Sequence, residues 1–284
     1  MPELPELQAH AERLEAGFGG AVLGGFRAIT FTALKTYAPP PEAAVGAPLT
    51  GVGRRGKHLL LGFGGDRGAP AHTFVVHLMQ GGRLCPDEKQ SAKPRGGIAR
   101  WSFDDGRALL LTEQGTERRA GVWVIAGDPS SHDPLVGLGP DADTLDAAGW
   151  AAVLAGRSMR LHGLLRDQRI VAGIGRRLAN EICHRAKLSP FANASKLDAT
   201  QVAGLADAAR ACIDESLADE RSRDVMVKSA DRAGSVHHRV GEPCPVCGDA
   251  IRAVEYRSYT VAYCPTCQTG GKVLADNTTS KFLK

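Results

Sequence analysis

Two cysteine pairs near the C-terminal end, Cys244-x2-Cys247 and Cys264-x2-Cys267, enclose sixteen residues and constrain the chain more than any other feature. Each Cys-x2-Cys turn presents two thiolates to one tetrahedral ion, and four protein ligands leave no open coordination position. The spacing therefore predicts a structural Zn2+ bound by Cys244, Cys247, Cys264 and Cys267. Its role is to fix a module whose own core is too thin to fold alone. Between the pairs, 251–256 and 259–263 read as two strands joined near Arg257-Ser258. Arg252, Arg257, Tyr256 and Tyr259 on this hairpin suit phosphate and base contact, and equally suit the packing and solvation of a minimal fold. Cys85, Cys183 and Cys212 have no such partners and read as core residues. Seven cysteines, four of them clustered, argue against a disulfide framework and for a reducing, cytoplasmic setting.

Upstream, the texture changes twice. Leu7, Ala11, Leu14 and Phe18 form an apolar helical stripe that begins after Pro5 and ends at Gly19-Gly20. Short apolar runs follow at 22–31, 45–52, 58–62, 73–84, 98–103, 108–112 and 121–126, separated by Gly, Pro and Asp. Many short strands with frequent turns favour a β-sandwich or barrel over alternating β and α units. A Pro, Gly, Asp and Ser-rich stretch at 128–140 reads as a linker, and from 144 to 217 the spacing becomes helical, with helices around 145–154, 161–165, 178–186 and 199–217. A polar stretch at 218–241 reads as a mobile connector. The expected fold is α+β: a β-sandwich with an N-terminal helix over 1–135, a helical domain over 140–236 and the zinc hairpin over 237–284. Trp101, Trp123 and Trp150 read as core. The chain has 35 Lys+Arg against 31 Asp+Glu. That mild positive charge permits a nucleic-acid partner without requiring one. No stretch reaches the ~18 apolar residues of a membrane helix, and the acidic, proline-broken start is unlike a secretion signal.

That start also carries chemistry. Pro2 follows Met1, and removal of the methionine frees a secondary amine. Such an amine attacks an aldehyde-like sugar carbon to give an iminium ion, an electron sink that drives elimination. Glu3 and Glu6 stand close enough in sequence to move protons, although a Glu near a helix start is also routine capping chemistry.

Met1-Pro2-Glu3-Leu4-Pro5-Glu6 resembles the opening of the formamidopyrimidine-DNA glycosylase and endonuclease VIII family of base-excision enzymes. Arg54-Arg55-Gly56-Lys57-His58-Leu59-Leu60 resembles its catalytic-lysine segment, and His77-Leu78-Met79-Gln80-Gly81-Gly82 its His-Leu-x-Met-Ser/Thr-Gly loop. The run from Asp167 to Gly175 resembles the glycine hairpin of a helix–two-turns–helix DNA-binding motif, and both cysteine turns resemble the family zinc finger. The resemblance implies a DNA glycosylase and abasic-site lyase for oxidised bases, acting as a monomer on double-stranded DNA in the cytoplasm, at the nucleoid. It implies Pro2 as nucleophile, Glu3 and Glu6 in proton handling and support, Lys57 on phosphate and in β-elimination, and a zinc-finger arginine in δ-elimination. His77, Arg157, Gly173, Gly175 and the residue after them are implied as DNA contacts; His77 also reads as a core histidine, and Arg157 as a solvated helix-end charge.

Four positions depart from the family pattern. Gln80 stands where a gap-filling methionine is expected, with Met79 one step earlier and, on a strand, on the other face. Arg118-Arg119-Ala120-Gly121 replaces Arg-Arg-Phe-Gly, leaving either arginine to reach the orphaned base and no aromatic wedge. Arg176 replaces an asparagine and still suits phosphate. Tyr259 stands at the expected zinc-finger arginine, with Arg257 the nearest substitute, so weakened δ-elimination is expected. A non-catalytic zinc-dependent nucleic-acid-binding protein on the same scaffold is the alternative.

Overall fold

The computed structural model describes residues 1–274 apart from 67, 116–117, 228–230, 233 and 257–258. Helix α1 (Leu4–Phe18) starts where the sequence asks it to, and buries Leu7, Ala11, Leu14 and Phe18 against the first strands. Eight strands then follow: β1 (Leu23–Ala28), β2 (Leu49–Arg55), β3 (His58–Asp66), β4 (Ala69–His77), β5 (Gly82–Pro86), β6 (Gly97–Phe103), β7 (Ala108–Glu113) and β8 (Gly121–Ala126). They form two antiparallel four-stranded sheets, β1-β6-β7-β5 and β2-β3-β4-β8. Alternating side chains from both inner faces meet in one core. Phe74 of β4 packs edge-on against Phe63 at 5.3 Å and against Trp101 of the other sheet at 6.0 Å. Trp101 and Phe74 are fully buried, and at ~25 cal/mol per Å2 such rings dominate the apolar stabilisation of a sandwich.

The chain divides into two compact units. The first is Met1–Gly137 with Arg223–Met226; the second is Leu138–Ser222 with Val227–Lys284. In the second lie α2 (Ala147–Leu154), α3 (Leu161–Arg166), α4 (Arg176–Arg185), α5 (Ala199–Arg221), the hairpin β9 (Arg252–Tyr256) and β10 (Tyr259–Tyr263), and α6 (Pro265–Thr269). α5 opens with an Asp198/Gln201 capping box, which satisfies two of the backbone groups a helix start leaves open. Val236, Cys244, Ile251, Ala262 and Cys264 form a small apolar cluster beneath the hairpin.

Three expectations need correction. The apolar run 73–84 is not one strand: β4 ends at His77, and Met79 takes a left-handed φ of 53° before β5 begins at Gly82. The stretch 218–241 is not a free connector. Met226 is buried in the sandwich core, and Val236 is buried beneath the hairpin. Cys85 is exposed, because β5 is an edge strand whose alternation puts Leu84 inward, whereas Cys183 and Cys212 are buried. Trp150 is buried like Trp101, and Trp123 is half-buried. Among the described residues no helix is long and apolar enough to cross a membrane.

Candidate active site and zinc centre

Glu3 is the N-cap of α1 and Glu6 its third residue, and the two form a reciprocal capping box. The Glu3 amide donates to Glu6 Oε2 at 2.6 Å, and the Glu6 amide donates to the Glu3 carboxylate. Both side chains are buried, Glu6 completely, at the positive end of the helix dipole. Pro2 is buried immediately before them. The arrangement fixes two carboxylates beside the second residue of the chain with almost no rotamer freedom left.

The β2–β3 turn is Gly56-Lys57, and Gly56 needs its missing Cβ to hold a φ of 55°. Lys57 is half-buried there. One step along, His58 of β3 pairs in register with His77 of β4, their ring centroids 4.7 Å apart, and Trp123 meets His58 edge-on. The Met79 amide donates to His77 Nδ1 at 3.2 Å, so that nitrogen carries no proton and the neutral ring keeps its hydrogen on Nε2. Burial, then the charge of Lys57, pulls His77 down to about 4; burial, then His77, pulls His58 to about 3. Two neutral imidazoles therefore sit beside a lysine. His77 is thus neither a closed core residue nor a cation at neutral pH.

Strand register brings the remaining expected contacts to this same end of the second sheet, because His77 pairs with Gly121. Met79 and Gln80 lie in a turn, so strand alternation does not govern them. Met79 packs on the sandwich core and Gln80 is exposed. Arg118 and Arg119 are exposed. Ala120 is buried in the core, and its amide and that of Arg119 both donate to Glu113 Oε2, at 2.7 and 2.6 Å. The side chain at position 120 thus packs into the sandwich core.

In the second unit, the glycine turn is organised by Gln168. Its Nε2 donates to the Ile174 carbonyl at 2.8 Å, and its Oε1 accepts the Gly173 amide at 2.9 Å. That bond uses the Gly173 N–H, which the sequence had offered to a phosphate; a φ of 97° explains why the position is glycine. Gly175 is the N-cap of α4 and half-buried Arg176 its first residue, so a cation stands at the helix end where N–H groups point outward. Exposed Arg157 donates to the Val153 carbonyl at the end of α2.

At the hairpin, the four sulfurs of Cys244, Cys247, Cys264 and Cys267 lie within 4.8 Å of one another. The Cys244–Cys267 and Cys247–Cys264 pairs are 3.9 and 3.4 Å apart. A tetrahedron with Zn–S bonds of ~2.3 Å has edges of about 3.8 Å, so the donor set fits zinc. Burial opposes ionisation of Cys244, but the amides of Val246 and Cys247 and the His184 imidazole outweigh it and bring the thiol to about 6. Burial and thiol neighbours push Cys264 up to about 11. A divalent cation resolves that conflict by taking all four as thiolates.

The polar face of α4 was not among the expected functional features. Arg177, Asn180, Glu181 and His184 recur at helical spacing and are all buried. His184 Nε2 lies 3.3 Å from Cys244 Sγ, and Asn180 bonds His237 at 2.9 Å. Glu181 accepts the amides of Ser235, Val236 and His237 at 2.6, 3.1 and 2.8 Å. Gln268 bridges the Cys264 amide to the Leu188 carbonyl. These bonds seat the zinc module on the helices. Tyr259 stacks on Tyr256 at 4.6 Å and on His162 at 6.3 Å, with the Arg166 guanidinium 4.2 Å over its ring. Arg257 lies outside the described residues.

Three family signatures cover most of the chain. Residues 1–123 match the formamidopyrimidine-DNA glycosylase N-terminal domain, 136–226 its H2TH domain, and 241–270 the zinc finger found in FPG and IleRS. A formamidopyrimidine-DNA glycosylase from Thiobacillus denitrificans is 32% identical over 281 residues, spanning 94% of this chain and all of that protein. The chain belongs to the formamidopyrimidine-DNA glycosylase family. A Mycobacterium tuberculosis protein described as an uncharacterized formamidopyrimidine-DNA glycosylase-like protein is 41% identical over 162 residues, 56% of this chain and all of its own length. The MutM (Fpg) crystal structure from Thermus thermophilus superposes with a TM-score of 0.80 at 26% identity, over 96% of this chain and all of that one. A Lactococcus lactis Fpg complex with DNA containing an oxidised pyrimidine shares the fold, at a TM-score of 0.82 and 20% identity, over 94% of this chain and all of that one. The β-sandwich, helical region and zinc hairpin expected of the family are present, and the four-cysteine cluster is its structural zinc site.

Proposed function

We propose that the protein excises oxidised bases from double-stranded DNA and then cleaves the abasic strand, acting as a monomer through a Schiff base at Pro2. Supporting the reading is the pair of buried carboxylates locked beside Pro2 on a member of a DNA-repair glycosylase family. The damaged nucleotide leaves the stack, since its sugar carbon is unreachable within it. With Met1 removed, the Pro2 nitrogen bonds to C1′ as the bond from C1′ to the base breaks, and the base departs with a proton. The C1′–O4′ bond then breaks as O4′ takes a proton from solvent, opening the sugar and leaving an iminium at C1′ that acidifies C2′; a carboxylate, Glu3 in this assignment, takes the C2′ proton while the bond from C3′ to its phosphate oxygen breaks. Water then hydrolyses the imine and restores the amine. Glu6 holds Glu3 in place through the capping box.

Lys57 serves the phosphate, His77 offers its Nε2 hydrogen, and Gln80, Arg118 and Arg119 face the duplex. Arg176 and the start of α4, with Arg157, serve phosphates from the second unit. Arg257 is the assigned zinc-finger arginine, and with Tyr259 held in a stack β-elimination dominates. A purely binding role needs no nucleophilic amine beside two fixed carboxylates and is not favoured. The test is base release from a duplex carrying an oxidised base, comparing the protein with Glu3→Gln. The expected result is release by the first and a loss of about 100-fold or more in the second, the size of a proton-transfer contribution. Equal release by both removes Glu3 from the assignment, and release by neither removes the glycosylase reading.

A further inference from the structure

Phe31 is fully exposed, at 101% of its reference area, while the other six described phenylalanines are buried or half-buried. A scattered exposed apolar side chain is ordinary. This one differs in its mounting. It occupies the tip of a tight turn in which the Ala33 amide donates to the Thr30 carbonyl at 3.1 Å, and Lys35 Nζ donates to the Thr32 carbonyl at 2.6 Å. The stem is pinned on both sides. Ile29 and Thr30 both donate to the Ile98 carbonyl, Val122 donates to the Ala33 carbonyl at 2.8 Å, and Lys35 donates to that of Val122 at 2.8 Å.

The position of the turn follows from these bonds. Leu34 forms a parallel bridge with Val122, and the Lys35 side chain lies against Gly121, so the turn is rooted at the start of β8, two residues from Ala120. Phe31 stands at the tip of that turn, three residues before the bridge. That end of the sheets also carries His77, Gln80 and Arg118. Ala120 itself is buried in the core, so nothing apolar projects from position 120. Tyr37, equally exposed, is farther along: Thr36 Oγ1 receives the Val124 amide, two residues deeper into β8.

We propose that Phe31 is the wedge that holds the base stack apart where a nucleotide has been extruded. The proposal rests on the glycosylase reading above. Apolar side chains inserted between base steps unstack them, and a rigid mount lowers the ordering cost of doing so. Phe31 meets both requirements, with Lys35, Arg118 and Arg119 near enough to hold the flanking phosphates.

The experiment measures single-turnover base release from a duplex with one oxidised base, and borohydride capture on a single-stranded abasic oligonucleotide that has no stack to open. Wild type, Phe31→Ala, Phe31→Trp and Tyr37→Ala are compared. The duplex-to-single-strand rate ratio is expected to fall roughly tenfold in Phe31→Ala, the scale of one lost base–aromatic stack. Phe31→Trp is expected to keep the wild-type ratio, and so is Tyr37→Ala. A wild-type ratio in Phe31→Ala, or an equal fall in Tyr37→Ala, overturns the wedge. Absence of base release from the duplex by wild type itself overturns the glycosylase reading and the wedge with it, and is recognisable because it appears before any variant is made.

Discussion

Glu181 should be the most costly single residue to remove in the second unit. Its carboxylate accepts three consecutive amides, those of Ser235, Val236 and His237, and leaves Gly234 so little room that an added Cβ would lie 3.0 Å from Oε1. Those amides belong to the segment that enters the zinc module, and Val236 is fully buried in the module's apolar cluster. Hydrogen bonds to a charged group contribute ~1.5–3 kcal/mol each, but the three share one partner and are not additive. Truncation also strands three donors in a site with little solvent. Glu181→Ala should therefore cost on the order of 3–5 kcal/mol. At ~2–4 °C per kcal/mol for a unit of this size, its melting transition should fall by at least about 6 °C. Calorimetry of the zinc-loaded protein resolves this, with Glu181→Gln expected between the two because it keeps the shape and one acceptor. A fall of less than 2 °C in Glu181→Ala would show that the segment holds itself, and that the carboxylate is not its anchor.

Two further outcomes follow from the sandwich and the hairpin. His10, His58 and His77 are held at about 4, 3 and 4 against an ordinary 6.5, chiefly by burial. The unfolded chain thus binds more protons, and the stability these neutral rings contribute is complete above pH 6.5 and lost as pH falls toward 4. The loss is on the order of 2 kcal/mol by pH 5 for each of the two well-buried rings, less for half-buried His77. Thermal unfolding at pH 7.5 and 5.0 measures it; His58→Phe should flatten the dependence, and identical slopes would contradict the assignment. Cleavage of abasic duplex should leave mainly unsaturated-aldehyde 3′ ends, since Tyr259 is stacked between Tyr256 and His162 rather than replaced by a cation. Denaturing gels showing mostly phosphate-terminated 3′ ends would overturn that expectation.

Much of this arrangement was legible from local signals. The cysteine spacing gave the zinc ligands, because each pair is a self-contained turn, and the stripe of α1 gave its buried face. What escaped was non-local. His58 and His77 lie nineteen positions apart in sequence and meet only through strand register. The apolar run 73–84 hid a turn because Met79 adopts a conformation usually left to glycine. The polar face of α4 went unread: Arg177, Glu181 and His184 at helical spacing ordinarily face water, yet here each finds a partner or a buried seat. A polar stripe opposite the apolar Leu178 and Ile182 was the available signal, and without knowledge of the segment that covers it the sequence could not distinguish solvent from a seam. Ala120 is the converse case: comparison with the family pattern flagged a missing aromatic, but only the bonds of Ala33, Leu34 and Lys35 to Val122 root the turn of Phe31 at the start of β8.

The chemistry proposed for the N-terminus is tested most directly by trapping. The purified protein, incubated with abasic duplex and borohydride, should be captured covalently, and peptide mass mapping should place the deoxyribose remnant on a proline at the mature N-terminus. Retained Met1 in active protein, or a remnant mapped to Lys57 or another lysine, would contradict the assignment of Pro2.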